Sequence, residues 1–547
     1  MRSLLKYYKS IFILLALILI PIILRSQRYR YNQTHLKSSS YSVFKQYCNP
    51  YFYEIKGLEG RRFPLKNYKL KLVKIVIRHG DRSSIIAPAN QATLLFAGKK
   101  VSRQSCFPYF DSANLRIKHI FLKFLKLVEV NMKYKFPLSC SDNSGELTLF
   151  GVLQNIKLGL YFQERYRDHF PFDQDARILE LQKTVHVHST KVRRAYLSAA
   201  ALIYSFLPSN ISIPSLISFL NGIHIHESHL FCLNITLPLD NSLINSCGCP
   251  WIYQSYVQFT QELEIFQKNL SEDINYQLKH ILYDGQKKFK RVTARTIFDT
   301  LLPMVCHYPN NYETRDKSTY DKYYQLKHSP NENFSLCRIS PNLFECIHSN
   351  QLDILLHQLK SHHEFQTQNL AFKYFSYFQI RSLLHRIIDS FDKGVYPDGE
   401  LNQAKLEIFS AHDTTLSPLL THLNSFTDRN YIWNKDDISY HYLIPYSARV
   451  VFEFWYPMSN TISTTFNSES PNSTCLPKGM SELPVIRILY NGFPLTLKKS
   501  NLIHDCKIVE QLIPYSIFKN RSLPLSFKPS KFNAYNHKTL KNCFMPY

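Results

Sequence analysis

Three short aliphatic runs in this chain each stop at a polar cluster and hand over to a helical or turn pattern, and that recurrence restricts the fold more than any single motif. The first is Lys71 to Ser84, KLVKIVIRHGDRSS. Leu72, Val73, Ile75, Val76 and Ile77 are too few for a stable helix and read as a buried strand. The second, Thr184 to Thr190 (TVHVHST), alternates and runs into a helix from Arg193 to Leu207. The third, Lys405 to Asp413 (KLEIFSAHD), ends at His412-Asp413, with Asp413 or Thr414 placed to cap a helix through Leu416, Leu419, Leu420 and Leu423. Strand, polar turn and helix repeated in this order imply an α/β fold, with ligands bound beyond the strand ends.

Between these runs, Asn114 to Met132 and Glu146 to His169 carry apolar residues at helical spacing, the latter with Thr148 as N-cap. From about 208 to 399 the pattern turns to long helical stretches (256–282, 292–305, 351–362 and 369–391), which suggests a mainly helical insertion. Ala448 to Trp455 and Val485 to Tyr490 read as further strands, with Asn491-Gly492 a turn. The expected organisation is a segment 1–24 that enters the membrane, a stem over 25–60, and a domain over 61–547 whose core comprises about 61–207 and 400–547.

Ile11 to Leu24 is apolar and uncharged but spans only about 21 Å at ~1.5 Å per residue. Leu4, Leu5, Tyr7 and Tyr8, with Lys6 and Lys9 snorkelling, extend it to a full span. Arg25-Ser26-Gln27-Arg28 follows without a small-x-small cleavage site, which favours a retained signal anchor. All twelve cysteines lie after this segment, as do sequons at Asn32, Asn210, Asn234, Asn269, Asn333, Asn472 and Asn520. Both fit a type II membrane protein whose bulk faces an oxidising lumen. The net charge of +25 attracts polyanions of any kind, but a luminal setting argues against nucleic acid and for acidic or phosphorylated glycans. No metal or cofactor is expected: Cys247-Gly-Cys249 has no matching second pair, and His362 and His363 point different ways on a helix.

Arg78-His79-Gly80-Asp81-Arg82 places two guanidiniums around one imidazole, the chemistry of a phosphate site. Phosphoryl transfer by such a group needs a nucleophile, positive charge on the equatorial oxygens and an acid for the leaving oxygen. His79 can attack if its other nitrogen is fixed by a hydrogen bond. Arg78 and Arg82 can clamp oxygens, and His412 adds a donor. Asp413 can protonate the alkoxide if its surroundings keep it partly protonated.

RHGDR at 78–82, SAHDTTL at 410–416 and GELTLFG at 145–151 resemble the motifs of the histidine acid phosphatases, branch 2 of the histidine phosphatase superfamily. The resemblance runs from about Leu70 to Tyr490. It implies a three-layer α/β sandwich with a central, mostly parallel sheet of the phosphoglycerate mutase-like kind and a mainly helical insertion. By resemblance His79 becomes phosphorylated, Arg78, Arg82 and His412 hold the phosphate, and Asp413 donates the proton. Ser84 departs from the family's usual proline. The resemblance also places a third phosphate-binding arginine just before Ser-Thr, where this chain has His188. As an imidazolium His188 would give a clamp whose activity falls steeply above neutrality.

The amino-terminal anchor, PYSARVVFEFW at 445–455 and VIRILYNG at 485–492 are similar to Golgi members of the family that remove the 2-phosphate of xylose in the glycosaminoglycan–protein linkage region. The partners so implied are a phosphorylated glycan or other phosphomonoester, the membrane, and glycosaminoglycan or linkage-synthesis enzymes. A broad acid phosphatase and a noncatalytic glycan-binding relative are the alternatives.

Overall fold

The computed structural model describes residues 47–48, 55, 57–61, 68–85, 95–96, 99–100, 115–136, 145–169, 182–207, 213–226, 250–268, 294–306, 335–340, 343–395, 405–423, 427–428, 443–458, 483–497 and 512–522. The expected anchor at 1–24 lies outside them. Among the described residues no helix is long and apolar enough to cross a membrane.

The framework is one mixed sheet. Its strands are β1 (Tyr68–Arg78), β2 (Val185–Thr190), β3 (His224–His226), β4 (Leu406–Ala411), β5 (Arg449–Pro457), β6 (Val485–Tyr490), β7 (Phe493–Pro494) and β8 (Ile513–Pro514). The order is β7-β6-β5-β1-β4-β2-β3, with β8 also pairing β6. β1, β4, β2 and β3 run parallel, whereas β5 and β6 continue the sheet antiparallel. The parallel strands are buried on both faces, so they read as near-continuous aliphatic runs in the sequence. Tyr490 pairs with Phe493 across Asn491-Gly492, whose φ angles of 48° and 89° are those a two-residue hairpin loop requires.

Alternation along the strands divides the core in two. Val73, Ile75, Ile77, Val185, Val187, Leu406 and Ile408 face α1 (Leu115–Met132), α2 (Leu149–Tyr166), α3 (Arg193–Phe206) and α4 (Ile213–Asn221). Leu72, Val76, Phe409, Ala411, Val450, Phe452 and Ile488 face the opposite layer, which the insertion reaches through further helices. After α5 (Pro250–Lys268), α6 (Ala294–Cys306) and α7 (Ser349–Gln368), that layer is built by α8 (Leu370–Val395), α9 (Asp413–Leu423) and α10 (Tyr515–Ser522). Helices on both faces of one sheet make the expected three-layer α/β sandwich. Each fully buried aliphatic or aromatic side chain contributes about 1.5–3 kcal/mol.

Two boundaries differ from the sequence expectation. α8 lies inside the stretch read as an insertion, yet Ile380, Leu383, Leu384, Ile387 and Phe391 belong to the sheet's own core. The segment read as a stem also contributes to the domain: Tyr47 and Cys48 are buried, Cys48 is disulfide-bonded to Cys306, and Leu58 N–H donates to the Gly492 carbonyl at 2.9 Å. Polar composition hid both Tyr47 and Glu59, which are buried through specific partners rather than through an apolar stripe.

Candidate active site

The carboxyl ends of β1, β4 and β2 are adjacent in the sheet, and the three polar clusters converge there. Arg78 ends β1, paired with Ala411 of β4, and the His79 N–H donates to the Ala411 carbonyl at 2.9 Å. This register sets the RHGDR loop beside His412-Asp413. The His79 and His412 rings lie 5.2 Å apart, and the Thr190 hydroxyl at the end of β2 is 3.0 Å from His412 Nε2.

The loop's shape depends on α2. A Cβ on Gly80 would come within 2.5 Å of the Gly151 carbonyl oxygen and 2.6 Å of Asn155 Nδ2, so only glycine lets β1 hand over against this helix. Asp81 fastens the other side. Its N–H donates to Gln154 Oε1 at 2.7 Å, its carbonyl accepts from Thr148 N–H at 3.0 Å, and its carboxylate accepts from Thr148 Oγ1 at 2.5 Å. Thr148 Oγ1 in turn accepts from Gly151 N–H at 3.1 Å, which is the N-cap of α2. GELTLFG is thus the helix start that grips the RHGDR loop. Ser84 completes the grip, its carbonyl accepting from Gly145 N–H at 3.0 Å.

The imidazole is oriented by its own backbone. His79 Nδ1 lies 2.7 Å from the Gly80 carbonyl oxygen, and because a carbonyl only accepts, Nδ1 carries the proton and Nε2 its lone pair. Burial, together with Arg194, Arg78, His412 and Arg82, pushes the His79 pKa well below its ordinary value. His412 is pushed down to about 3 by burial and by Arg194, Arg78 and Arg82, against the pull of Asp413. Both rings are therefore neutral over the physiological range.

Arg78 is buried between Tyr446 and Tyr47, its guanidinium 4.3 and 4.8 Å from their ring centres, and it donates to the Ile444 carbonyl. Stacking between two aromatics fixes its plane. Arg82 Nη1 donates to the Ser83 carbonyl at 3.1 Å, and its Nη2 is 3.7 Å from Asp299.

Two results depart from the sequence expectation. His188 is buried on β2, one strand repeat, about 6.6 Å, inside Thr190. Its ring stacks on Phe409 and His224, and its Nε2 is 3.6 Å from Glu407 and 3.0 Å from Arg386. The further guanidinium whose charge acts on both the His79 and His412 imidazoles, beside Arg78 and Arg82, is Arg194 on the first turn of α3. Its Nη1 donates to the Gly145 carbonyl at 3.3 Å, while its buried Nε has no hydrogen-bond partner among the described residues. Burial beside Arg82 and Arg78 lowers the Arg194 pKa to about 10, still well above neutrality, so the third charge of the cluster is permanent. The reason for the difference is geometric. A strand end delivers its last residue and the first helical turn to the site, whereas a residue two places earlier lies inside the sheet.

Asp413 is the second departure. Burial alone would raise its carboxyl, but Arg78, Arg295, Arg82 and His412 hold it well below the usual carboxylate range. Arg295 on α6 pairs with its Oδ2, and Arg78 Nη2 is 3.6 Å from the same oxygen. As the side chains stand Asp413 is ionised, not partly protonated. Tyr47, Tyr446, Arg295 and Asp299 complete the surroundings, and none lies at a strand end, so the strand-turn-helix pattern gave no signal for them. Arg194 did carry one, as the basic first turn of a helix that follows a polar strand end.

A neutral, oriented imidazole among guanidiniums at the carboxyl ends of adjacent parallel strands fits a site for phosphate-group transfer. The chain belongs to the histidine phosphatase superfamily, branch 2, whose family model matches residues 69–491. It is thus a phosphatase, a phosphoric monoester hydrolase. It is similar to 2-phosphoxylose phosphatase 1 of Mus musculus, with 23% identity over 465 residues covering 84% of this chain and 77% of that protein. The Homo sapiens protein of that name is 22% identical over 461 residues, covering 83% and 76%. Among solved structures, the multiple inositol polyphosphate phosphatase of Bifidobacterium longum matches with a TM-score of 0.43 and 13% identity, covering 86% of this chain and 97% of that one.

Proposed function

We propose that this protein is a luminal phosphomonoesterase of the Golgi membrane that works through a phosphohistidine and removes the 2-phosphate from xylose in the glycosaminoglycan–protein linkage region. The observation that carries the chemistry is the His79 imidazole, its Nδ1 tied to the Gly80 carbonyl and its surroundings supplied by Arg78, Arg82, Arg194 and His412. The substrate reading rests on the relatives' name and on the basic composition, which suits an anionic glycan.

In the first step the His79 Nε2 lone pair attacks phosphorus and the ester P–O bond breaks. The leaving sugar oxygen takes a proton from Asp413. In the second, water attacks phosphorus, the N–P bond breaks, and the Asp413 carboxylate takes the water proton. Arg78, Arg82 and Arg194 hold the equatorial oxygens, so the charge on the phosphoryl group is met by this chain's own side chains. Asp413 must be protonated for the first step, and incoming phosphate supplies the means. Its negative charge engages the same guanidiniums that otherwise hold the carboxylate ionised, which raises the Asp413 pKa when substrate is present.

Wild-type protein and His79→Ala are incubated with a linker glycopeptide carrying 32P on xylose. The expected result is release by the wild type, an acid-labile and base-stable label on it during turnover, and a loss on the order of 10⁴-fold or more in the variant. A label on wild type from aryl phosphates but not from the glycopeptide would leave a broad phosphatase. Glycopeptide binding without any label would leave a noncatalytic glycan-binding protein.

A further inference from the structure

Behind the active site, β2 and β4 carry a cluster the phosphatase chemistry does not use. His186 and Glu407 are register partners, and His186 and His188, two apart, share a sheet face with Glu407. Glu407 Oε1 is 3.8 Å from His186 Nδ1 and 3.6 Å from His188 Nε2, and the three ligand atoms lie within 4.8 Å of one another. A tetrahedral zinc with bonds of about 2.0–2.1 Å holds its ligand atoms about 3.3–3.5 Å apart. We propose that His186, His188 and Glu407 bind a divalent transition metal, zinc by preference, at a site separate from the catalytic cluster and in competition with the Arg386 guanidinium.

Two imidazoles and one carboxylate are a donor set that zinc accepts with a fourth position left to water, and imidazole donors select against magnesium and calcium. The cations already present have different roles. Lys74, fully buried, is 3.0 Å from Glu407 Oε2, the oxygen turned away from the imidazoles. It holds the carboxylate in orientation as an outer partner would. Arg386 Nη2 instead lies 3.2 Å from Oε1 and 3.0 Å from His188 Nε2. A guanidinium can only donate, so His188 Nε2 presents its lone pair to the place Arg386 occupies, the same place a metal would take.

Access is also in place. The Arg386 side chain is 36% exposed and can swing its head group to solvent, whereas Lys74 cannot. His224 on the edge strand β3 is exposed, its ring 5.2 Å from His188 and 6.0 Å from His186, and it borders the open side of the cluster. The cluster is set by strand register and distance alone, whatever the chemistry at the strand ends.

The test is zinc titration of chelator-stripped protein by calorimetry, with magnesium as control, on wild type, His186→Ala and Arg386→Ala. The His186 side chain is 33% exposed, so its truncation leaves the sheet core intact. One zinc per chain is expected in the wild type, weakened on the order of 100-fold in His186→Ala and tightened about tenfold in Arg386→Ala by removal of the competing cation. Cobalt provides a second measurement, with the visible bands of a tetrahedral ion expected in Arg386→Ala at lower concentration than in wild type. Equal zinc affinity in all three proteins, or no zinc and no cobalt bands in both wild type and Arg386→Ala, would overturn the proposal.

Discussion

Arg295, on a helix of the insertion, and Asp413, at the first residue of α9, are joined in an ion pair directly beside Arg78. The pair gives an element outside the recurring strand-end pattern a hold on the proton inventory of the site. Replacing Arg295 with Gln removes one of the charges that depress the Asp413 carboxyl, so the protonated form persists to higher pH. The alkaline limb of kcat for an alkyl phosphate should move up by about one pH unit. An aryl phosphate, whose leaving group needs no proton, should show no such movement. If both substrates shift together, Arg295 acts on something other than the leaving-group proton.

Arg194→Ala should lower kcat/KM by about 10²–10³, equivalent to about 2.7–4 kcal/mol of transition-state binding, with Arg194→Lys recovering part. His188→Arg separates the two candidates for the third charge. If His188 completed the clamp, arginine there would flatten the pH profile above neutrality. The structure instead places a third cation beside Lys74 and Arg386, with Glu407 their shared carboxylate. The expected outcome is a protein destabilised by about 3 kcal/mol in thermal or urea unfolding, with its pH profile unmoved.

The strands and their convergent ends were legible because two signals coincided, namely aliphatic runs too short for helices and abrupt polar stops. The N-cap of α2 and the helices beginning at Leu115, Arg193 and Asp413 were legible from spacing and capping residues. What was hidden depended on distance across the chain. Tyr47 is 399 residues from Tyr446, yet the two rings lie 5.3 Å apart and both stack on Arg78. Arg295 is held near Asp413 by packing, with the Cys48 to Cys306 disulfide fastening the Tyr47 segment to the end of the same helix. Arg194 and His188 occur in one heptapeptide, HSTKVRR, and only the turn from strand to helix decides which of them reaches the site.

Thr148 supports the RHGDR loop and the helix at once, and its hydroxyl is the shared atom. Thr148→Val keeps the shape and removes both bonds. The helix loses its cap, about 1 kcal/mol, and the Asp81 carboxylate loses a buried donor, about 1–3 kcal/mol more. Because Asp81 follows Gly80 directly, kcat should fall as well, whereas Thr148→Ser should restore both stability and rate. Loss of stability with kcat unchanged would show that the loop holds its shape without this anchor.

The buried imidazoles make stability depend on pH in a defined direction. His79 and His412 are neutral when folded, with pKa values depressed below the ordinary histidine value of about 6.5. Between about pH 6.5 and the folded value, which is about 3 for His412, the unfolded chain binds more protons, so stability falls as pH falls. Above about pH 6.5 both states are neutral at these positions and their contribution is constant. Each group adds a slope of up to about 1.4 kcal/mol per pH unit inside its window. Inorganic phosphate bound among Arg78, Arg82 and Arg194 would offset the positive charge that keeps the rings neutral, raise their folded pKa values and flatten the slope. Tm measured from pH 7 to pH 4 should therefore drop less steeply in saturating phosphate, with the stabilisation by phosphate growing as pH falls. His412→Asn should lose one of the two contributions and show the shallower slope without phosphate. An equal phosphate-induced rise in Tm at every pH would mean that the anion binds without electrical contact with these imidazoles, and the placement of His79 and His412 at the phosphate would fail.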